Sequence, residues 1–190
     1  MSEHFCVACN MCCDGSIFDR VEVVSLERDQ IGPRRDIRLD AVEGYHYFPQ
    51  SCGQLNADGS CGCYSVRPGR CRAYMCTTAG KVERGEIDAA EASEIIGRIL
   101  ARRDAFVGLC REEVPTAFWP AGTFGARGAF TAMRAAFDAG SNFPTPVRNA
   151  LFRAWFAYLE EMRTHIDDGF ADLSAVAARA EARRRTRAAI

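Results

Sequence analysis

The sequence is short of nearly everything that would assign it a function by motif. It holds one lysine, Lys81, among 24 basic residues, and 25 acidic residues bring the net charge to −1. A chain so balanced offers no strongly basic face to a phosphate backbone, which argues against nucleic acid as a partner. The near absence of lysine reads as a compositional habit rather than a functional signal. No apolar run approaches the ~20 residues that span a bilayer, so no membrane segment is expected. Glu3 and His4 stand where a signal peptide carries basic residues ahead of an apolar stretch, and the expected compartment is the cytoplasm, where thiols stay reduced. There is no GxGxxG, P-loop or HExxH, no Ser/His/Asp signature, no internal repeat and no long low-complexity linker. Nothing identifies a protein partner, although one is compatible with the sequence. Cysteine is absent from the last 80 residues.

What is present is thiol, concentrated at one end. The ten cysteines stand at 6, 9, 12, 13, 52, 61, 63, 71, 76 and 110, nine of them within the first 76 residues. That stretch shows little helical periodicity. VEVV at 21–24 fits a short strand or half-buried turn, and 34–50 fits a hairpin. Asp58-Gly59, Gly62 and Pro68-Gly69 make 54–71 rich in turns. Chain of this kind buries little apolar surface and needs a metal or a disulfide to hold it.

The remainder reads as helices. Ala92, Ile95, Ile96, Ile99, Phe106, Val107 and Cys110 recur at helical spacing, with Arg103 the one residue off pattern. Asp88 with Glu91 three residues on marks the start of that helix. A second helix fits 126–138, with Ala126, Phe130, Met133 and Phe137 on one side and Gly140 as its stop. Thr145-Pro146 reads as N-cap and first helical residue of a third, with Val147, Leu151, Ala154, Trp155, Tyr158 and Met162 on one face and a stop near Gly169. A fourth segment, 170–188, is rich in Ala and Arg and reads as a solvated helix.

Three uses of the thiols compete. Structural disulfides fit the cytoplasm poorly. A redox dithiol needs one CxxC at the start of a helix, not four clustered thiols. Metal or iron–sulfur ligation fits best, because two residues between cysteines form a tight turn whose sulfurs converge, and thiolates are soft anionic donors. Cys6, Cys9 and Cys12 converge in this way. The adjacent side chains of Cys12 and Cys13 tend to diverge, so one of them serves a second site or caps the first from another side. Cys52, Cys61, Cys63, Cys71 and Cys76 supply the remaining donors.

The order CxxCxxCC (Cys6, Cys9, Cys12, Cys13), a lone Cys52, then Cys61, Tyr64, Arg67, Pro68, Cys71 and Arg72 in a CxxYxxRPxxCR pattern, and a final Cys76 resembles the CxxCxxCC cysteine-cluster family, a zinc- or iron-chelating domain of the YkgJ-like type. The likeness covers 6–76 and leaves the helical part unmatched. It implies a metal set of Cys6, Cys9, Cys12, Cys13, Cys52, Cys61, Cys71 and Cys76, with zinc or iron, including a [4Fe–4S] cluster, as the occupant. Cys63 stands where the family has an aliphatic residue, which leaves Cys61 and Cys63 as rivals for one position. Some members are described as iron–sulfur oxidoreductases, and a related motif occurs in flagellin lysine methylases.

Thiolates around a metal leave net negative charge, and Arg67 and Arg72 are candidates to donate N–H bonds to sulfur, with Arg70 at the surface. Tyr64, His46 and His165 read as packing residues. His4 is the one histidine close enough in sequence to tempt as a substitute ligand, and Cys110 is a small hydrophobe on its helix face. The expected fold is a small, irregular, metal-stabilised cysteine-cluster region with little regular structure (1–78), packed on an all-α region of three to four helices (79–190). The expected function is metal chelation. The alternative is an iron–sulfur enzyme, redox or group-transfer, with a substrate cleft between cluster and helices.

Overall fold

The structure is a computed structural model, and it describes residues 8–18, 20–23, 40–42, 45–49, 51–121 and 125–166. Cys6, His4 and the fourth helical segment read at 170–188 lie outside the described residues. Among those described, three short strands, β1 (Arg20–Val23), β2 (Asp40–Val42) and β3 (Tyr45–Pro49), precede five α-helices: α1 (Gly69–Ala73), α2 (Thr77–Glu83), α3 (Ala89–Glu113), α4 (Ala126–Asp138) and α5 (Thr145–His165). The fold is mostly helical. No described helix is long and apolar enough to cross a membrane.

Asp88 fixes the start of the longest helix. Its carboxylate accepts from the backbone N–H of Glu91 at 2.8 Å, which satisfies one of the donors that the first turn leaves unpaired. From there Ala92, Ile95, Ile96, Ile99, Phe106, Val107 and Cys110 are all buried, as the periodicity of α3 predicts. They meet Leu151, Trp155, Tyr158 and Met162 of α5 and the inner face of α4 in one continuous core. Each large side chain buried in full contributes about 1.5–3 kcal/mol.

Two expectations about the helices need correction. Helix α5 begins one residue earlier than read, with Pro144 as N-cap and Thr145 already helical. Proline 146 then falls in the first turn, where a missing N–H costs nothing. In α4 the buried residues are Ala126, Gly128, Ala129, Ala132, Met133 and Ala136, whereas Phe130 and Phe137 are only half-buried. Small side chains let α4 lie close against its neighbours, and the aromatic rings are left to cover the edge. Phe130 stacks on Trp155 with centroids 4.4 Å apart.

Strand β3 is central, pairing antiparallel with β1 (Val21 opposite Phe48) and with β2 (Ala41 opposite His46). Val23 and Phe48 form a second, small buried cluster, with Val21, Cys52 and Cys71 packed against it. Helix α1 lies on β1. The boundary read at 78 falls inside α2, whose first turn is bonded to the end of α5: Thr77 N–H donates to the Ile166 carbonyl at 2.9 Å, and the buried Thr78 hydroxyl donates to the His165 carbonyl.

The N-terminal cysteine turn is seated on this scaffold. Met11 and Ile17 are members of the main core. The Ala126 N–H at the start of α4 donates to Ser16 Oγ at 3.3 Å, and Arg127 donates to the Ile17 carbonyl at 2.6 Å. Gly125 makes the fit: a Cβ there would lie 2.6 Å from the Asp14 carbonyl oxygen and 2.7 Å from the Ser16 nitrogen. Backbone atoms cannot step aside as a flexible side chain can, so Gly125→Ala is expected to destabilise the protein by about 1–3 kcal/mol. Urea unfolding of the variant checks this, and an unchanged midpoint would show that the turn does not sit this close.

Candidate metal centre

The thiols reach one place through short-range backbone chemistry. In the first cysteine segment Asn10 takes a left-handed conformation, φ 47°, which asparagine tolerates better than most residues. Its carbonyl accepts from both Cys13 N–H (2.7 Å) and Asp14 N–H (3.0 Å), and this folds the CxxCxxCC stretch into a tight turn. Asp14 Oδ1 accepts from Ser16 N–H at 2.7 Å, and Ile17 N–H closes on the Met11 carbonyl at 3.1 Å.

The second segment docks directly on the first. Cys52 N–H donates to the Cys13 carbonyl at 2.7 Å, and Leu55 N–H donates to Cys52 at 3.0 Å. A small loop then returns the chain. Leu55 pairs antiparallel with Cys61, with Asp58 Oδ1 accepting from Ser60 N–H at 2.9 Å. At its tip Gly59, φ 83°, approaches Asn10 so closely that a Cβ would lie 2.5 Å from Asn10 Nδ2. Cys71 follows in α1, and Cys76 is the N-cap of α2, its Sγ accepting from Ala79 N–H at 3.4 Å.

Seven of the eight cysteines named by the motif (Cys9, Cys12, Cys13, Cys52, Cys61, Cys71 and Cys76) line a single cavity of about 420 Å³. Cys6 is the eighth and lies outside the described residues. Cys63 lines the same cavity, buried, its Sγ 3.7 Å from that of Cys61. Cys110 is not part of the wall; it is fully buried in the core. Cys13, Cys52, Cys61, Cys71 and Cys110 are free thiols. The remaining wall is largely apolar and includes Phe18, Phe48, Tyr74, Ile96 and Ile166, with Phe18 and Tyr74 in edge contact at 4.9 Å.

Burial sets the protonation of these groups. It pushes the Cys13 thiol up to about 12, and the charges of Cys52, Cys61 and Cys71 add to the rise. Cys71 is also pushed up to about 12, by burial and then by Cys52, Cys61 and Cys63, against a smaller opposing pull from Arg67. Burial raises Cys52 as well, countered in part by a backbone hydrogen bond at Gln54. Cys13 and Cys71 are therefore neutral thiols at pH 7. A cation would reverse this, because a coordinating thiol is deprotonated outright.

Of the three arginines near the second group, Arg67 lies deepest. Its guanidinium stacks 4.0 Å from the centroid of Tyr64, it lines the cavity, and its Nε–H is buried without a hydrogen-bond partner. Arg70 pairs with Glu22 at 2.9 Å and is 60% exposed. Arg72 is exposed. His46 and His165 are not among the lining residues.

The residue that periodicity marked as off pattern has a specific role. Arg103 Nη1 donates to Asp14 Oδ2 at 2.6 Å and to Asn10 Oδ1 at 3.2 Å. It therefore ties the middle of α3 to the cysteine turn. Both Arg103 and Asp14 side chains are 15% exposed, and burial raises the Asp14 carboxyl against the pull of Arg103 and Ser16. Asn10, Asp14, Arg103 and Gly125 position the site. An arginine on an apolar helix face was the one sign of this that sequence offered.

Among the described residues no group of three or more His, Cys, Asp or Glu side chains is already set as a metal-holding cluster. The thiols share a cavity wall rather than a finished coordination sphere. No family model, curated protein or solved structure matches the chain.

Proposed function

We propose that the protein is a cytoplasmic metal-chelating protein of the CxxCxxCC cysteine-cluster type, holding zinc or an iron–sulfur cluster through Cys6, Cys9, Cys12, Cys13, Cys52, Cys61, Cys71 and Cys76. The observation that carries this is the convergence of cysteines 9 to 76 on one cavity from separate segments of chain. The donor chemistry suits a soft cation: eight of the described lining residues are thiols, and no histidine stands among them. The buried, unpartnered Arg67 Nε–H is matched to the charge such a site carries, since a thiolate accepts an N–H bond that a neutral thiol accepts poorly. A redox dithiol is a weaker fit, because reactive cysteines are held low and Cys13 and Cys71 are held high.

A bound metal would fix the thiolates and join the two cysteine segments. The chain's own part is to release the thiol protons, to place Arg67 beside Cys71, and to keep water off the apolar wall. Because Cys13 and Cys71 stand near 12 before loading, uptake at pH 7 displaces protons and strengthens as pH rises.

The iron–sulfur enzyme is the second proposal. It draws on the cavity volume of about 420 Å³, which falls in the about 300–1,000 Å³ range of small-ligand pockets, and on the Phe18–Tyr74 wall. Anaerobic purification from an iron-supplemented host, followed by metal analysis and a visible spectrum, tests both. Brown protein with iron and sulfide supports a cluster, and colourless protein with zinc supports a closed structural site. Protein carrying neither, and taking up neither on reconstitution, overturns the proposal.

A further inference from the structure

The thiols are not distributed evenly over the cavity wall. Cys9 is a buried member of the helical core, and Cys12 and Cys76 pack against that core. Cys52 and Cys71 pack instead against the sheet cluster of Val23 and Phe48. Cys13 sides with the second group. Its carbonyl accepts from Cys52 N–H at 2.7 Å. Cys61 in turn is held by its pairing with Leu55, three residues past Cys52. The division falls between Cys12 and Cys13, where neighbouring side chains diverge.

Coordination number makes the division consequential. Zinc in a structural site takes four donors, so the full set of thiols exceeds what one ion uses. The Cys61 and Cys63 sulfurs lie 3.7 Å apart, close enough for either to take the one sheet-side position they share.

Resting on the metal-binding proposal above, we infer that the thiols form two separate sites: one of Cys13, Cys52, Cys61 and Cys71 beside the sheet, with Cys63 next to Cys61 as the rival for its position, the other containing Cys9, Cys12 and Cys76 beside the helices. The protein then takes two equivalents of a soft divalent cation, and each site fills without the other.

Co²⁺ is the probe, because thiolate ligation gives it an intense near-ultraviolet charge-transfer band. The reduced, metal-free full-length chain is titrated anaerobically and the bound metal measured. Wild type is expected to saturate at two equivalents. Cys52→Ser and Cys71→Ser each keep one, with about half the charge-transfer absorbance. Cys9→Ser and Cys76→Ser each keep the other, and Cys52→Ser/Cys76→Ser keeps neither. Helical circular dichroism confirms that each variant is folded, and two variants per site guard against the loss of one. Saturation of wild type at one equivalent overturns the two-site inference while leaving metal binding intact. So does the loss of both equivalents together in every single variant. Wild type that binds no Co²⁺ overturns the metal proposal itself.

Discussion

Arg103→Met is expected to lower the unfolding free energy by about 3–5 kcal/mol, the cost of leaving one member of a buried ion pair uncompensated. Both partners are 15% exposed, and their atoms stand 2.6 Å apart. Methionine keeps most of the volume, so the loss reports charge and hydrogen bonding rather than a cavity. In a chain of this length it corresponds to a fall in melting temperature of roughly 6–20 °C. The pH dependence has a definite sign. Burial already raises the Asp14 carboxyl, with Arg103 pulling the other way, so removing Arg103 raises it further. A carboxyl whose folded value lies above its unfolded value costs stability as pH rises through that window. The variant's deficit is therefore expected to be largest near and above neutral pH and to shrink in acid. Asp14→Asn/Arg103→Met should recover part of the loss. Urea midpoints across pH check both points, and a deficit independent of pH would show that the pair is not electrostatic in origin.

On the proposed metal binding, removing the metal is expected to have the largest effect of all, confined to the cysteine-bearing segments. The sheet side has only Val23 and Phe48 as fully buried apolar side chains, worth roughly 3–6 kcal/mol together. Ordering chain costs about 1–2 kcal/mol per residue in backbone entropy, so that cluster cannot hold its segments alone. A structural zinc supplies about 10–16 kcal/mol in small thiolate domains near pH 7. Chelation is thus expected to expose 20–23, 45–49 and 51–73 to protease and to hydrogen exchange, while α3, α4 and α5 keep their protection. Cys9→Ala should lower metal content and soluble yield together, whereas Cys110→Ala, which trims one sulfur from a helix face, should cost on the order of 1 kcal/mol and keep the metal. Uniform protection with and without chelator would remove the metal from any structural role.

The parts of the molecule legible in sequence are those fixed by short-range rules. The cap at Asp88, the buried face from Ala92 to Cys110 and the extent of α4 follow from hydrogen bonding and periodicity within a few residues. The turn that carries Cys9, Cys12 and Cys13 was legible for the same reason, since CxxC spacing is a local device. The face of α4 was misjudged because size, not hydrophobicity, decides which side lies against a close neighbour; Ala129 and Ala132 are inside, and Phe130 is at the edge. Arg103, Asp14 and Gly125 escaped because their partners lie 89 residues or more away in the chain. No window of sequence contains both halves of such a contact. What sequence did offer was a charge interrupting an apolar stripe, which marks a place where something polar has to be met.

The tie between α2 and the end of α5 bears on when the site can be completed. Thr78 meets the His165 carbonyl across 87 residues, and Cys76 opens the helix that this bond secures. Synthesis runs from the N-terminus at about 5–20 residues per second, so roughly 4–18 s separate the making of Cys76 from that of its anchor. Throughout that interval every cysteine from 6 to 76 is already on the nascent chain and without its final setting. If the cavity selects an ion as proposed, that selection cannot operate then; whatever bare thiols take up during translation has to be released or exchanged once the last helix arrives.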